Sequence, residues 1–214
     1  GAPSAADYVV FGTTGAADSC LWDLDIPVSS FSVTGAYSST VTFLVNMKVS
    51  SDVRVDAGAS AMLDLNGHLL EVQGDWIAGD MRTTSTVAGS SVTFYGAGTS
   101  KIRRLTAGPA RFNNLVVNKD AAAGVEERLY SDLDVAGHFT ILKGSHAAGS
   151  NVQWLRGDLF LTNGYLDAVL STVIYAGATP QRAWLNGGGE GTGIASMSRR
   201  QGRHPDQHPG RCLV

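Results

Sequence analysis

The chain has 214 residues, of which 26 are Gly, only 6 are Pro and 16% are charged, against roughly 25% charged in ordinary globular domains. That length gives one or two domains with ample core, and a formal net charge of −3 argues against a general nucleic-acid binder. No apolar run approaches the roughly 18 residues of a membrane span, no signal-peptide pattern opens the sequence, and two distant cysteines, Cys20 and Cys212, exclude a dense disulfide framework.

Residues 1–30 read as opening strands or a cap, with Tyr8-Val9-Val10-Phe11 and then Trp22, Leu24 and Ile26 alternating with Asp23 and Asp25. The clearest strand follows. Val41, Phe43, Val45, Met47 and Val49 alternate with Thr42, Leu44, Asn46 and Lys48 at period two, so one face is buried. Short strands then come in series: Val53–Val55, Leu63–Leu65, Leu70–Val72, Val92–Phe94, Leu115–Val117, Leu133–Val135, Phe139–Ile141, Val152–Trp154, Leu159–Leu161 and Val173–Tyr175. Asn66-Gly67, Gly74-Asp75, Gly96-Ala97-Gly98, Ala136-Gly137 and Asn163-Gly164 punctuate them, and such pairs suit either solenoid corners or antiparallel hairpins. Only 120–129 could form a short helix, and Gly124 weakens it.

A longer periodicity overlies the short strands. Ser51-Asp52-Val53 returns as Ser131-Asp132-Leu133 at an offset of 80, Gly74-Asp75 returns as Gly157-Asp158 at 83, and Val92-Thr93-Phe94 returns as Val173-Ile174-Tyr175 at 81. A repeated segment that cannot bury its apolar face alone buries it by stacking. The sequence therefore predicts an all-β, right-handed parallel β-helix of about two long repeats, with coils near twenty residues. It divides as 1–30 opening strands or cap, 31–110 first repeat, 111–190 second repeat and 191–214 flexible basic tail. Val53 and Leu133, Val72 and Leu155, and Phe94 and Tyr175 are expected at equivalent inward positions. Met197 to Val214 carries four Arg against one Asp, or +3, which leaves −6 on the remainder.

The stretches Met62 to Trp76, Ser91 to Thr99 and Phe112 to Lys119 resemble repeat units of large bacterial secreted and cell-surface proteins with parallel β-helix stalks, of the autotransporter and filamentous-haemagglutinin-like kind, over residues 7 to 185. The resemblance implies export, surface display and often adhesion, and carries no catalytic residues with it.

Candidate chemistry is sparse. Asp132 with Asp134, or Asp23 with Asp25, could supply paired carboxylates for a glycoside hydrolase. But Arg54 stands where Asp134 should recur, so solvated strand charges are the simpler reading. His68, near Asp64, and His138 and His146 lie in turn-like contexts without a visible partner. Arg156-Gly157-Asp158 spells the tripeptide that integrins read, though Gly157 and Asp158 also fit a turn. His204, His208 and Cys212 have spacing that would suit zinc on a helix, which Pro205 and Pro209 forbid. Gly187 to Gly193 lacks the ending of a phosphate loop and reads as a linker.

The expected role is a non-enzymatic extracellular or cell-surface scaffold, adhesive or polysaccharide-binding, with no cofactor, no nucleic acid and no membrane insertion. End-to-end contact with another copy or with further repeats is also expected. The alternative is a polysaccharide lyase or glycoside hydrolase with a groove on the β-helix, which would need clustered carboxylates and basic groups. A row of aromatics or Thr/Asn would favour binding.

Overall fold

The computed structural model describes residues 3–12, 18–35, 37–56, 62–78, 88–120, 126–129, 131–168 and 170–185. Alternating apolar residues in runs of three to six, cut by turn residues, give short strands with one face to bury. Here they wind into a β-solenoid of about seven turns whose strand pairs are all parallel, with no helix among the described residues.

Three strand-bearing faces wrap one core. Face one holds β1 (Tyr8–Phe11), β3 (Ser30–Val33), β6 (Val53–Val55), β9 (Trp76–Ala78), β11 (Ser100–Arg104) and β14 (Glu126–Leu129). Face two holds β2 (Cys20–Trp22), β4 (Thr40–Phe43) and β7 (Met62–Asp64), and further along β12 (Ala110–Phe112), β15 (Leu133–Val135), β17 (Val152–Leu155) and β19 (Thr172–Tyr175). Face three holds β5 (Met47–Val49), β8 (Leu69–Val72), β10 (Ser91–Gly96), β13 (Asn114–Lys119) and β20 (Ala183–Leu185). Two nine-residue strands, β16 (Phe139–Ala147) and β18 (Leu159–Asp167), begin on face three and round the corner onto face one.

The unit of the stack is the single coil. Phe31 lies beside Val53 and Val53 beside Trp76, so a coil takes 22 or 23 residues there; Leu133, Gln153 and Val173 adjoin at intervals of 20. The division into two long repeats does not emerge from these ladders. Val53 stands on face one between Phe31 and Trp76, whereas Leu133 stands on face two between Ala110 and Gln153. Phe94 and Tyr175 also occupy different faces, as do Val72 and Leu155, although all six side chains point inward and are buried. The recurring words therefore report a shared local grammar of strand and corner, not one stacking position. The ladders also run on across residues 30 and 110.

Inward columns are apolar. Met47, Leu70, Val92, Leu115, Phe139 and Leu159 form one on face three, and Val49, Val72, Phe94, Val117 and Ile141 the next. Burying each such side chain stabilises by about 1.5 to 3 kcal/mol. Two expectations change. The run from Val41 to Val49 is not one strand, because it turns a corner after Phe43; alternation survives because corner residues also point in or out. Residues 126–129 form a strand, so that part of the proposed helix belongs to the sheet.

Corners are tied by polar side chains that accept from the next coil's backbone. Leu69 N donates to Asn46 Oδ1 (2.9 Å), His138 N to Asn114 Oδ1 (2.9 Å), Asp158 N to His138 Nδ1 (3.2 Å) and Arg182 N to Asp158 Oδ1 (2.8 Å). Asp75 N donates to Asp52 Oδ1 (2.7 Å), Lys101 N to Asp75 Oδ1 (2.9 Å) and Val152 N to Asp132 Oδ1 (2.8 Å). Such bonds pair N–H groups that the strand ladders leave over. Asn66 and Gly67, at φ +46° and +83°, turn a corner between parallel strands and close no hairpin.

Candidate functional site

The sequence-derived candidates are largely absorbed by this architecture. Arg156 donates from Nε and Nη2 to the two carboxylate oxygens of Asp134 at 2.7 and 3.0 Å, and Arg111 Nε lies 3.9 Å from the same carboxylate. That fork raises the Arg156 pKa above its ordinary value. A Cβ on Gly157 would fall 2.2 Å from Gly137 O, so close coil approach demands glycine there. Asp158 caps Arg182 N. Each residue of the Arg-Gly-Asp tripeptide thus has a role in the stack.

The paired carboxylates fare similarly. Asp132 accepts from Val152 N and Asp134 is held by Arg156, so the two serve different neighbours. The perturbed carboxylate is one the sequence did not single out: burial pushes Asp75 up, Lys101 N–H opposes it, and the neighbouring Asp52 adds to the rise.

Among the histidines, His68 turns a corner through its backbone N–H to Leu65 O, while Asp64 Oδ1 accepts from Asn66 N. His138 Nδ1 accepts from Asp158 N, and its ring stands edge-on to Phe160 at 5.5 Å. His146 is fully buried, 3.1 Å from Gln153 Oε1 and 5.0 Å from the Phe139 ring. His204, His208, Cys212 and the Gly187 to Gly193 run lie outside the described residues, among which no three His, Cys, Asp or Glu side chains are grouped to hold a metal ion.

What remains is a surface. On the outside of face three the register aligns Val116, Thr140, Phe160 and Trp184 in one column, one residue per coil. Beside it run Tyr95, Asn118, Lys143 and Asn163. Rungs in such a ladder are about 4.8 Å apart. Phe160 is half-buried and Trp184 is 51% exposed, with the Arg182 guanidinium 6.0 Å from the indole centroid. Lys143 and Asn163 are exposed. A β-bulge between Val117 and Asn118 brings Lys143 into line with Asn118 and leaves Leu142 projecting.

The two ends of this strip differ. At the early coils Lys48 Nζ lies 3.8 Å from Glu71 and 4.2 Å from the Tyr95 ring centroid, so charged and aromatic groups close on each other. Burial, with the Glu71 charge, raises the Tyr95 hydroxyl pKa. At the late coils the Trp184 indole lies open, and Phe160 half-buried, beside amide and cationic donors. That combination stacks on the apolar face of a ring while bonding to hydroxyl groups at its edge. The sequence hid it because Val116, Thr140, Phe160 and Trp184 are spaced 24, 20 and 24 apart.

No protein-family model matches the chain, and neither the curated proteins nor the solved structures contain a match.

Proposed function

We propose that the chain is a non-enzymatic extracellular or cell-surface scaffold whose third face binds an extended polysaccharide. The observation that carries this reading is the exterior column Val116, Thr140, Phe160, Trp184 beside Tyr95, Asn118, Lys143 and Asn163. An extended polymer laid along the stack meets Val116 with Asn118, Thr140 with Lys143, Phe160 with Asn163 and then Trp184 on successive coils. Stacking on an aromatic ring is sequence-tolerant and shallow, and suits a repeating ligand held by many weak contacts. The resemblance to secreted β-helix stalks supports the extracellular setting. An enzymatic reading would ask for carboxylates gathered in a groove with basic groups; Asp132 and Asp134 are engaged by Val152 N and by Arg156, and Asp23 and Asp25 stand exposed after β2, on a different face from the strip.

The experiment is binding of the chain to a panel of soluble and insoluble polysaccharides, read by affinity electrophoresis and pull-down, with Phe160→Ala and Trp184→Ala beside it. Retention that both substitutions weaken, with unchanged circular dichroism, is expected. Retention equal in all three proteins contradicts the strip. Release of reducing ends or unsaturated products during incubation contradicts the non-enzymatic assignment.

A further inference from the structure

We infer, resting on the reading of face three as the binding strip, that its polysaccharide is an acidic one whose ring-borne carboxylate or sulfate groups are met by Lys143 and Arg182. The first observation concerns hydrogen-bond acceptors. Along one flank of the aromatic column, Asn114, His138, Asp158 and Arg182 occupy successive coils. Asn114 Oδ1, His138 Nδ1 and Asp158 Oδ1 each accept from the backbone N–H of the residue one coil on, so this flank turns its acceptors into the stack. Accepting at Nδ1 leaves the ring proton of neutral His138 on Nε2. His138 and Arg182 are both exposed, and what they offer a ligand is N–H donors.

The second observation is charge. On the opposite flank Lys143 is exposed and carried into line by the bulge in β16 pairing. Among the described residues neither Lys143 nor Arg182 forms a side-chain ion pair, whereas Lys48, at the early end of the same face, is held by Glu71. On the late coils face three carries Asp158, with one oxygen on Arg182 N, and Asp120 stands past the strip at the corner after β13. The third is spacing. Lys143 lies on β16 and Arg182 just before β20, two rungs or about 10 Å apart along the stack, on opposite sides of the aromatic column. Sugar rings laid over Thr140, Phe160 and Trp184 hold their substituents out to either side, where an anionic group meets a cation. Charge-assisted bonds of that kind supply the selectivity that stacking on an indole lacks.

Retention on immobilised polygalacturonate, its fully methyl-esterified form, dextran sulfate and dextran tests this. The chain should be held by polygalacturonate or dextran sulfate, the polymer retained telling carboxylate from sulfate, and not by the ester or by dextran; salt should weaken retention. Lys143→Gln and Arg182→Gln should each weaken it several-fold. Asp158→Asn keeps an oxygen for Arg182 N–H, removes the opposing charge and should strengthen it. Arg103→Gln, at an exposed position on face one, should leave it unchanged. Circular dichroism checks every fold. Equal retention of the acid and its ester, unaffected by Lys143→Gln and Arg182→Gln, overturns the acidic class and leaves the strip standing. A loss in Arg103→Gln equal to that in Lys143→Gln overturns it too, as diffuse charge attraction. Retention that Trp184→Ala leaves intact, or no retention on any polymer, overturns the strip itself.

Discussion

Arg156 clamps Asp134 across one rung of the solenoid, Nε donating to one carboxylate oxygen and Nη2 to the other, with the Asp134 side chain only 12% exposed. The pair joins β15 to the end of β17, and so ties two coils by their side chains. Because Arg156 itself is about half exposed, solvent screening discounts the bond. Arg156→Ala should cost about 1 kcal/mol, or roughly 2 to 4 °C in Tm by thermal unfolding. A Tm within error of the parent would show that the fork contributes nothing.

The core makes a larger prediction. Phe94 is fully buried between Val72 and Val117 of the adjoining coils. Phe94→Ala should destabilise by about 3 to 5 kcal/mol in urea unfolding, because neighbours on rigid ladders cannot collapse into the space. A loss below about 1 kcal/mol would contradict the packing.

These two positions also show what could be read in advance. Phe94 was legible because Val92-Thr93-Phe94 alternates and a parallel stack repeats that alternation in every coil. Ten short strands were found for the same reason. β11 was not, because Lys101, Arg103 and Arg104 dominate its five residues while only Ser100 and Ile102 are buried. The corner after Phe43 was hidden by alternation that continues through it. The candidate strip was hidden differently: coil length drifts between 19 and 27 residues, so residues stacked in space share no fixed spacing in sequence. Lys119 is a different case: the alternation of Leu115 and Val117 carries on to it and points it inward, and only its charge argued for the outside.

Lys119 is fully buried, and its ammonium donates to Gln73 O at 2.7 Å and Tyr95 O at 3.1 Å, tying three successive coils. Lys119→Met keeps the stem's bulk and removes those bonds. A loss of about 1 to 3 kcal/mol in denaturant unfolding is expected, since charge-assisted bonds to carbonyls outweigh the relief of burying one ammonium. A variant more stable than the parent would reverse that balance.

Asp75 gives a pH dependence. Its folded-state pKa is raised chiefly by burial, with Asp52 adding to the effect, so the folded chain takes up this proton at higher pH than the unfolded chain does. The contribution is therefore largest below the ordinary carboxylate range and is lost as pH rises through the raised value. Asp75→Asn retains an oxygen for Lys101 N–H and removes the titration. The variant's stability should vary less than the parent's as pH rises out of the ordinary carboxylate range, and should match or exceed it at neutral pH. Identical pH profiles for parent and variant would contradict this assignment.

The central claim, that the outer surface of face three binds a polysaccharide, is tested most directly through its own indole. Of the four tryptophans, Trp22 and Trp76 are buried and Trp154 is half-buried, while Trp184 is exposed on the strip. Titrating the chain with a polysaccharide that it retains should shift tryptophan emission to shorter wavelength with saturation, and Trp184→Phe should abolish the shift while weakening retention only modestly. Retention with no change in emission, or a shift that persists in Trp184→Phe, would place the ligand elsewhere and contradict the claim.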